Sequence, residues 1–365
     1  MANPDKIIGI KDIAKALKIS LGTVDRALHD RPGVSPKTRD LVLKMAEQLG
    51  YKPNLAAQAL KLNRRLSVSV VLPKHIAHFF DPLREGIRAE AASTVGANLS
   101  LEFFEYPRLG GGDIEVFRKA AQKRSDGIIF LPGDVRKYEP LIHKASRVGV
   151  ALMCVGSDAP NTERMGAVSV HASISGAIAA ELLSHTLTSE AEVAIFTGEL
   201  SMLDHVEKLR GFAAALAVIA PHLTLLPALE SHDRPRDAYR QALEMMQKKP
   251  RPDGIYISTA NSIPVLQALE ELGLLGKVKV VTTDLFRELI PLIETGKVLA
   301  TLYQRPYTQG KIALKNLLAF LLRDHEPPLI VQLAPHVVFR TNLALFKNQI
   351  GNSATEDVEM EVSAT

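Results

Sequence analysis

The chain has one cysteine, Cys154, in 365 residues. That excludes an internal disulfide and any metal site built from several thiolates. Cys154 sits in the apolar run Val150-Ala151-Leu152-Met153-Cys154-Val155, which reads as a core strand holding an inert thiol. Long hydrophobic runs are missing as well. No stretch approaches the roughly 18 apolar residues that span a bilayer. Residues 1–11 contain no apolar run and no cleavage signature, so no secretory signal is expected and the expected compartment is the cytoplasm. Signatures of enzyme chemistry are also scarce. There is no GxSxG, and His75 and His78 stand close together without an HExxH or cysteine partner. Gly110-Gly111-Gly112-Asp113 lacks the Lys-Ser/Thr of a phosphate loop and reads as a turn. No catalytic nucleophile, metal or cofactor is expected, and the chain does not read as an enzyme.

What is present is distributed unevenly. Residues 1–65 hold thirteen Lys and Arg against six Asp and Glu, a net +7, whereas the whole chain is +4. The other 300 residues are therefore slightly acidic, at −3. A basic excess confined to one end is the footprint of a polyanion-binding module.

The same segment shows three short helical patterns joined by tight connections. Ile13, Ala14 and Leu17 mark the first. Ser20 is placed to cap the second, whose stripe is Val24, Ala27 and Leu28. Ser35 and Pro36 open the third, with Leu41, Val42, Met45 and Leu49 inward and Gly50 as the stop. Two helices joined by a short turn and buttressed by a third are the helix-turn-helix plan.

The specific residues go further. Thr23, Val24, Arg26 and Leu28, then Val34-Ser35-Pro36-Lys37-Thr38-Arg39, then the run from Tyr51 through Pro53, Asn54 and Ala57 to Leu60 carry a resemblance. Over about fifty residues without gaps, the chain resembles the DNA-binding headpiece and hinge helix of the lactose-repressor (LacI/GalR) family. The resemblance implies that the helix after Ser20 lies in the major groove, with Leu21, Gly22 and Arg26 at base edges. Arg26 is the strongest reader, because a guanidinium donates two bonds to guanine O6 and N7. Ser20, Thr23, Lys37, Tyr51, Asn54 and Ala57 complete the implied DNA contacts. Leu60 is implied to wedge into the minor groove together with its dimer mate. Three residues depart from the family pattern: Lys18 where the turn has Gly, Asp25 beside the reading arginine, and His29 in place of Asn.

After a charged linker ending near Ser67, short apolar runs alternate with helical ones. Strands are expected at 68–72, 99–104, 127–131, 150–155, 192–197, 224–229, 254–258, 278–282, 299–304 and within 329–338. Helices of ten or more residues fall between them. Repeated strand–helix–strand units demand parallel sheets covered on both faces. About ten such strands are too many for one sheet, and a break near 156–172 divides them into two lobes, with a return to the first near Leu299. The expected fold is thus an all-α helix-turn-helix headpiece (1–53), a hinge helix and linker (54–67), a two-lobed α/β domain (68–346) and a disordered acidic tail (347–365).

The two-lobed part resembles the periplasmic-binding-protein-like effector domain of the same family. That resemblance implies a ligand cleft lined by the aromatic pair Phe79 and Phe80, Asp158 and Arg164, Arg210 ahead of Gly211-Phe212, Asn261 or Ser258, Asp284 and Gln304. Carboxylates and amides at strand ends suit a sugar or polyol, since each pairs with several hydroxyls. Ala172-Ser173 departs from an Asp-Asn common in the sugar-binding branch. The expected protein is a repressor that binds a palindromic double-stranded operator as a homodimer or higher oligomer under control of a small effector. The alternatives are a solute-binding protein of sugar transport and a sugar-processing enzyme.

Overall fold

The computed structural model describes residues 9–28, 32–49, 65–94, 98–187, 190–248, 251–323 and 330–347. It divides into two compact units, 1–62 and 63–365.

The first unit has three helices: α1 (Ile10–Leu17), α2 (Leu21–Leu28) and α3 (Pro36–Gln48). Ile13, Val24 and Val42, one from each helix, are fully buried, with Ala14, Ala27 and Ala46 around them. The α3 stripe differs from the expectation. Leu41 is 51 % exposed, and Ala46 takes an inward place beside Val42. Both follow from the 3.6-residue period, which puts 42 and 46 on one face and turns 41 away. Ser35 caps α3 by accepting the Thr38 N–H (3.1 Å), and Ser20 accepts the Thr23 N–H (3.0 Å). Lys18 takes the left-handed conformation (φ 53°) that its place in the turn demands, at a cost of about 1 kcal/mol for a residue with a Cβ.

The second unit contains two sheets. The first runs β12–β5–β4–β3–β1–β2 and is wholly parallel. Its strands are β1 (Arg65–Pro73), β2 (Asn98–Tyr106), β3 (Gly127–Phe130), β4 (Ala151–Val155), β5 (Gly166–Val170) and β12 (Ile330–Leu333). The second runs β13–β11–β10–β9–β6–β7. It comprises β6 (Glu192–Thr197), β7 (Thr224–Leu225), β9 (Gly254–Ile257), β10 (Lys279–Thr283), β11 (Ala300–Tyr303) and β13 (His336–Val338), with β8 (Leu229–Glu230) also on β6. Only β13 is antiparallel to its neighbour. Strands β3, β4, β5 and β9 are buried at every position, as parallel strands covered on both faces must be.

Several expectations need correction. Residues 65–67, expected to close the linker, already belong to β1. The strand β5 lies within the stretch taken as a break: Gly166-Ala167-Val168-Ser169-Val170 is short and has few large apolar residues. The strand expected at 224–229 is two short pieces, β7 and β8. The chain does not return to the first lobe at Leu299, because β11 belongs to the second sheet. It crosses three times instead. The crossings follow β5 at His171, follow β11 at Gln304-Arg305, and join β12 to β13. The linker 54–64, Gly50, His29 and the tail from 348 onward lie outside the described residues.

Each lobe is braced by a helix pair that touches through glycines. In the first lobe α4 (Ala77–Ser93) crosses α12 (Pro306–Arg323). A Cβ on Gly86 would lie 2.0 Å from the Tyr307 carbonyl oxygen, and one on Gly310 2.1 Å from that of Leu83. In the second lobe α7 (Ala172–Ser184) crosses α8 (Leu203–Ile219). There Gly176 meets the Lys208 carbonyl and Gly211 that of Ser173, both at 2.0 Å. Backbones this close leave no room for a methyl group.

Gly176→Ala should therefore destabilise the protein by about 3 kcal/mol, the upper end of overpacking costs. Gly149→Ala, with nothing within 4 Å of its Cβ but φ at 84°, should cost about 1–2 kcal/mol through backbone strain alone. Urea unfolding of both variants measures the difference. Equal losses would refute the close-crossing account.

Candidate functional site

The two lobes meet at the carboxyl ends of their strands, where α/β sheets place ligands. After β1, α4 starts at Ala77, five residues before Pro82, so Phe79 and Phe80 stand in its first turn. Both are buried, and their rings meet edge to face at 4.9 Å. With Ile76, Leu109 and Leu131 they form an apolar wall on the first lobe. The facing wall is polar: Asp204, His205 and Lys208 from α8, Thr259 after β9, and Gln304 after β11. The cavity between the walls is about 40 Å³.

Two histidines hold the lobes together across this boundary. His75 Nε2 lies 3.1 Å from the Asp233 carbonyl, and His78 Nε2 2.9 Å from that of Ala260. The His78 ring also lies 4.0 Å from that of Phe286. Since a carbonyl only accepts, each Nε2 carries the proton and donates. Burial holds the His78 pKa below its usual range, which keeps the ring neutral.

The floor of the cleft is a chain of charged and polar groups. Lys208, 1 % exposed, donates to Asp204 Oδ2 (2.7 Å) and Gln304 Oε1 (2.8 Å). Gln304 Nε2 donates to Asp284 Oδ2 (2.7 Å), and the Gln304 N–H to Asp284 Oδ1 (3.1 Å). An ammonium this deeply buried is tolerated only when paired and hydrogen-bonded. Burial pushes the Asp284 carboxyl up to about 6, although Lys208 and the Gln304 bonds pull the other way. Among the described residues Asp204 Oδ1 is buried without a hydrogen-bond partner, and Asp204 lines the cavity.

Not every expected residue belongs to this floor. Phe79, Phe80 and Gln304 line the cavity. Asp284 stands behind Gln304, 1 % exposed, and sets the amide rather than facing the cavity. Arg210 does not belong: its side chain is 71 % exposed and pairs with Glu207 on the surface. The cleft cation is Lys208, two residues earlier. Asp204 and Lys208 are one turn apart and share a face, whereas residue 210 lies some 200° round the helix from 208. An Asp at i and a Lys at i+4 read in sequence like a solvated surface pair, and only burial tells them apart.

Asp158 and Arg164 form a bidentate pair with each other. Asp158 lines a second cavity, about 340 Å³, on the hinge side with Ser169, His171 and Glu207. Ser258 is fully buried and donates to Thr197 Oγ1 (3.0 Å), and Asn261 does not line the cleft cavity. Thr259 and Ala260, between them, do.

In the first unit Leu21, Gly22 and Arg26 lie on the outward face of α2, and all three are exposed. The Arg26 guanidinium runs past Gly22, 3.9 Å from where its Cβ would stand. Ser20 and Lys37 are exposed, and Thr23 is half-buried. Tyr51, Asn54, Ala57 and Leu60 lie outside the described residues.

These features define a helix-turn-helix unit joined to a two-lobed domain of the periplasmic-binding-protein class. Residues 68–324 match the profile of the periplasmic binding protein domain, and residues 9–54 that of bacterial regulatory proteins, lacI family. The chain is 25 % identical over 342 residues to catabolite control protein A of Priestia megaterium, covering 91 % of this chain and 98 % of that protein. It is 23 % identical over 352 residues to the HTH-type transcriptional repressor PurR of Aliivibrio salmonicida, covering 92 % and 98 %. Among solved structures, the glucose-galactose binding protein GanP of Geobacillus stearothermophilus shares the fold at a TM-score of 0.70 and 23 % identity, covering 77 % of this chain and 99 % of that one. A solute-binding protein of Burkholderia graminis C4D1M in complex with D-arabinose also gives 0.70, at 22 % identity, covering 76 % and 96 %. The chain belongs to the LacI/GalR family of bacterial regulatory proteins. It is a DNA-binding transcription regulator with a ligand-binding domain. Among the described residues no helix is long and apolar enough to cross a membrane.

Lys208→Met removes the buried cation that pairs with Asp204 and leaves that carboxylate without its ion-pair partner, so it should cost about 3–5 kcal/mol. Arg210→Met breaks only an exposed pair and should cost less than about 0.5 kcal/mol. Denaturant titration of the two side by side tests the assignment, and similar small losses would remove Lys208 from its central place.

The folded chain holds the Asp284 proton more tightly than an unfolded chain, whose aspartates titrate near 4. Burial of this carboxylate therefore weakens the fold above about pH 6, and that penalty lapses as pH falls toward 4. Asp284→Asn does not titrate. The stability of the parent relative to this variant should be highest at about pH 4 and below, and decline as pH rises through about 5 to just above 6. A gap in melting temperature that stays constant from pH 5 to 8 would contradict the shifted carboxyl.

Proposed function

We propose that this protein represses transcription by binding a palindromic operator as a homodimer or higher oligomer in the cytoplasm, and that a sugar or polyol in the inter-lobe cleft sets its affinity for DNA. The observation that carries the ligand class is the pairing of an apolar wall, Phe79 and Phe80, with the floor of Asp204, Lys208 and Gln304. A sugar ring has an apolar face to stack on an aromatic pair and an edge of hydroxyls. Asp204 Oδ1, buried without a partner among the described residues, is an acceptor placed for such a hydroxyl. Solved structures that share the fold were determined with D-arabinose and myo-inositol, which agrees with this class.

The cleft acts through the lobes. A cavity of about 40 Å³ holds on the order of three waters, so a six-carbon ligand requires the lobes to part and close again around it. Gln304 sits at one of the three crossings between the lobes and contacts the buried lysine, which joins ligand contact to the hinge. A ligand shifts this equilibrium only by the difference in its affinity for the two arrangements. At the DNA end, Arg26 reads guanine from the exposed face of α2, with Leu21 offering apolar contact alone.

One experiment tests both ends. The full chain is screened by thermal shift against glucose, galactose, arabinose, myo-inositol and free purines, and the hit is added to an operator-binding assay of the parent and Arg26→Ala. A ligand at 100 times its Kd should add about 2.7 kcal/mol of stability. Arg26→Ala should lose about 1–3 kcal/mol at one base pair and its symmetry mate while responding normally to the hit. A shift with purines alone would overturn the sugar reading, and a loss spread over all DNA sequences would make Arg26 a phosphate contact.

A further inference from the structure

At the rim of the second lobe, outside the cleft floor, three side chains converge. Glu199 follows β6, Glu230 ends β8, and His232 lies two residues beyond. One ligand-type atom from each falls within 4.8 Å of the other two. His232 Nδ1 lies 3.3 Å from Glu199 Oε2 and 3.5 Å from Glu230 Oε1. We propose that Glu199, Glu230 and His232 form a three-ligand site for a divalent transition-metal ion of the zinc type.

The spacing is the first argument. Zinc bonds to imidazole nitrogen and carboxylate oxygen are about 2.0–2.2 Å, so neighbouring ligand atoms of a tetrahedral site stand about 3.4 Å apart. Both histidine–carboxylate separations fall at that value. A charge-assisted hydrogen bond at its tightest closes further, to about 2.7–2.9 Å. The same protein shows such a bond between His143 and Glu163, which are in close hydrogen-bond contact.

The charge is the second argument. Two carboxylates share a single imidazole, and among the described residues no lysine or arginine pairs with either. Their side chains are only 15 % and 29 % exposed, so solvent screens them incompletely. A dication answers that balance, and the mixed nitrogen and oxygen ligand set suits zinc-like ions better than calcium or magnesium.

Fixed ligands are the third argument. Ser201 Oγ donates to Glu199 Oε1 (3.3 Å), which leaves Oε2 for the shared centre. The Leu200 N–H holds Glu230 Oε1 (2.7 Å), and His205 Nδ1 accepts the Glu199 N–H (2.8 Å). Such outer contacts orient the ligands of a metal before it arrives. No sequence pattern announced this site, because residues 199 and 230 are brought together only by the pairing of β6 with β8.

Glu199 also borders the first lobe: a Cβ on Gly110 would lie 2.8 Å from its Oε2. An ion at this centre thus sits against the lobe boundary, next to Leu109 of the apolar wall.

The test is a titration of the full chain, freed of metal by a chelator, with cobalt(II) and then zinc(II). Cobalt should give a visible absorption band that saturates at one ion per chain and is displaced by zinc. His232→Ala should weaken zinc binding by about 100-fold, and Glu230→Gln by about 10-fold or more, whereas His222→Ala, at an exposed histidine elsewhere, should change nothing. His232 is 45 % exposed, so its removal leaves the fold intact, and circular dichroism in chelator checks this for each variant. Parent-like zinc affinity in both His232→Ala and Glu230→Gln would overturn the proposal. So would the lack of any saturating cobalt band below about 1 mM.

Discussion

The buried ammonium of Lys208 is the constraint around which the cleft is built. A cation at 1 % exposure needs anions and acceptors close by, and it finds them on three separate elements. Asp204 comes from its own helix one turn earlier, Gln304 from the end of β11, and Asp284, through Gln304, from the end of β10. The bonds to Gln304 and on to Asp284 fix the segments that follow β11 and β10. The direction of the chain matters too: Lys208 donates to Gln304, which donates to Asp284. A proton on Asp284 would set a donor against the Gln304 amide and force it to turn. The shift of that carboxyl to about 6 brings this event close to the physiological range.

The lysine is held at the floor by backbone packing rather than by its side chain alone. Its carbonyl rests against Gly176 of α7, and Gly211, one turn on, rests against Ser173. The first lobe repeats the device with Gly86 and Gly310, so each lobe places a long helix at its closest possible distance from a second one. In the first lobe the second helix is α12, which arrives from the crossing at Gln304-Arg305. The hinge, the cleft amide and the glycine crossing are therefore consecutive along the chain. Motion of the lobes has a short mechanical route to the helix that braces the first lobe.

The sequence made the fold class legible because the signals for it are local. Period-3.6 stripes, Ser20 and Ser35 as caps, and apolar runs of four to six residues each depend on near neighbours. They located the three helices of the first unit and nearly every strand of the second. The failures were of two kinds. Strand β5 escaped because Gly166, Ala167 and Ser169 dilute its apolar character, and its burial comes from flanking strands. The end of the linker was misplaced because Arg65, Leu66 and Ser67 have little apolar character of their own and become strand by pairing with Asn98, Leu99 and Ser100 of β2.

The sequence by itself determined the basic end module, its short helices with their apolar stripes, and an alternating α/β chain too long for a single sheet. These follow from charge composition and hydrophobic period, which any conformation of the chain must respect. Only the tertiary structure decided which polar residues share a site. It exchanged Arg210 for Lys208, moved Asp284 behind Gln304, paired Asp158 with Arg164, and brought Glu199, Glu230 and His232 together. Those choices depend on burial, on the pairing of β6 with β8, and on contacts as distant in sequence as that of Lys208 with Gln304, 96 positions away. Side chains of like type have no means of showing that difference in sequence.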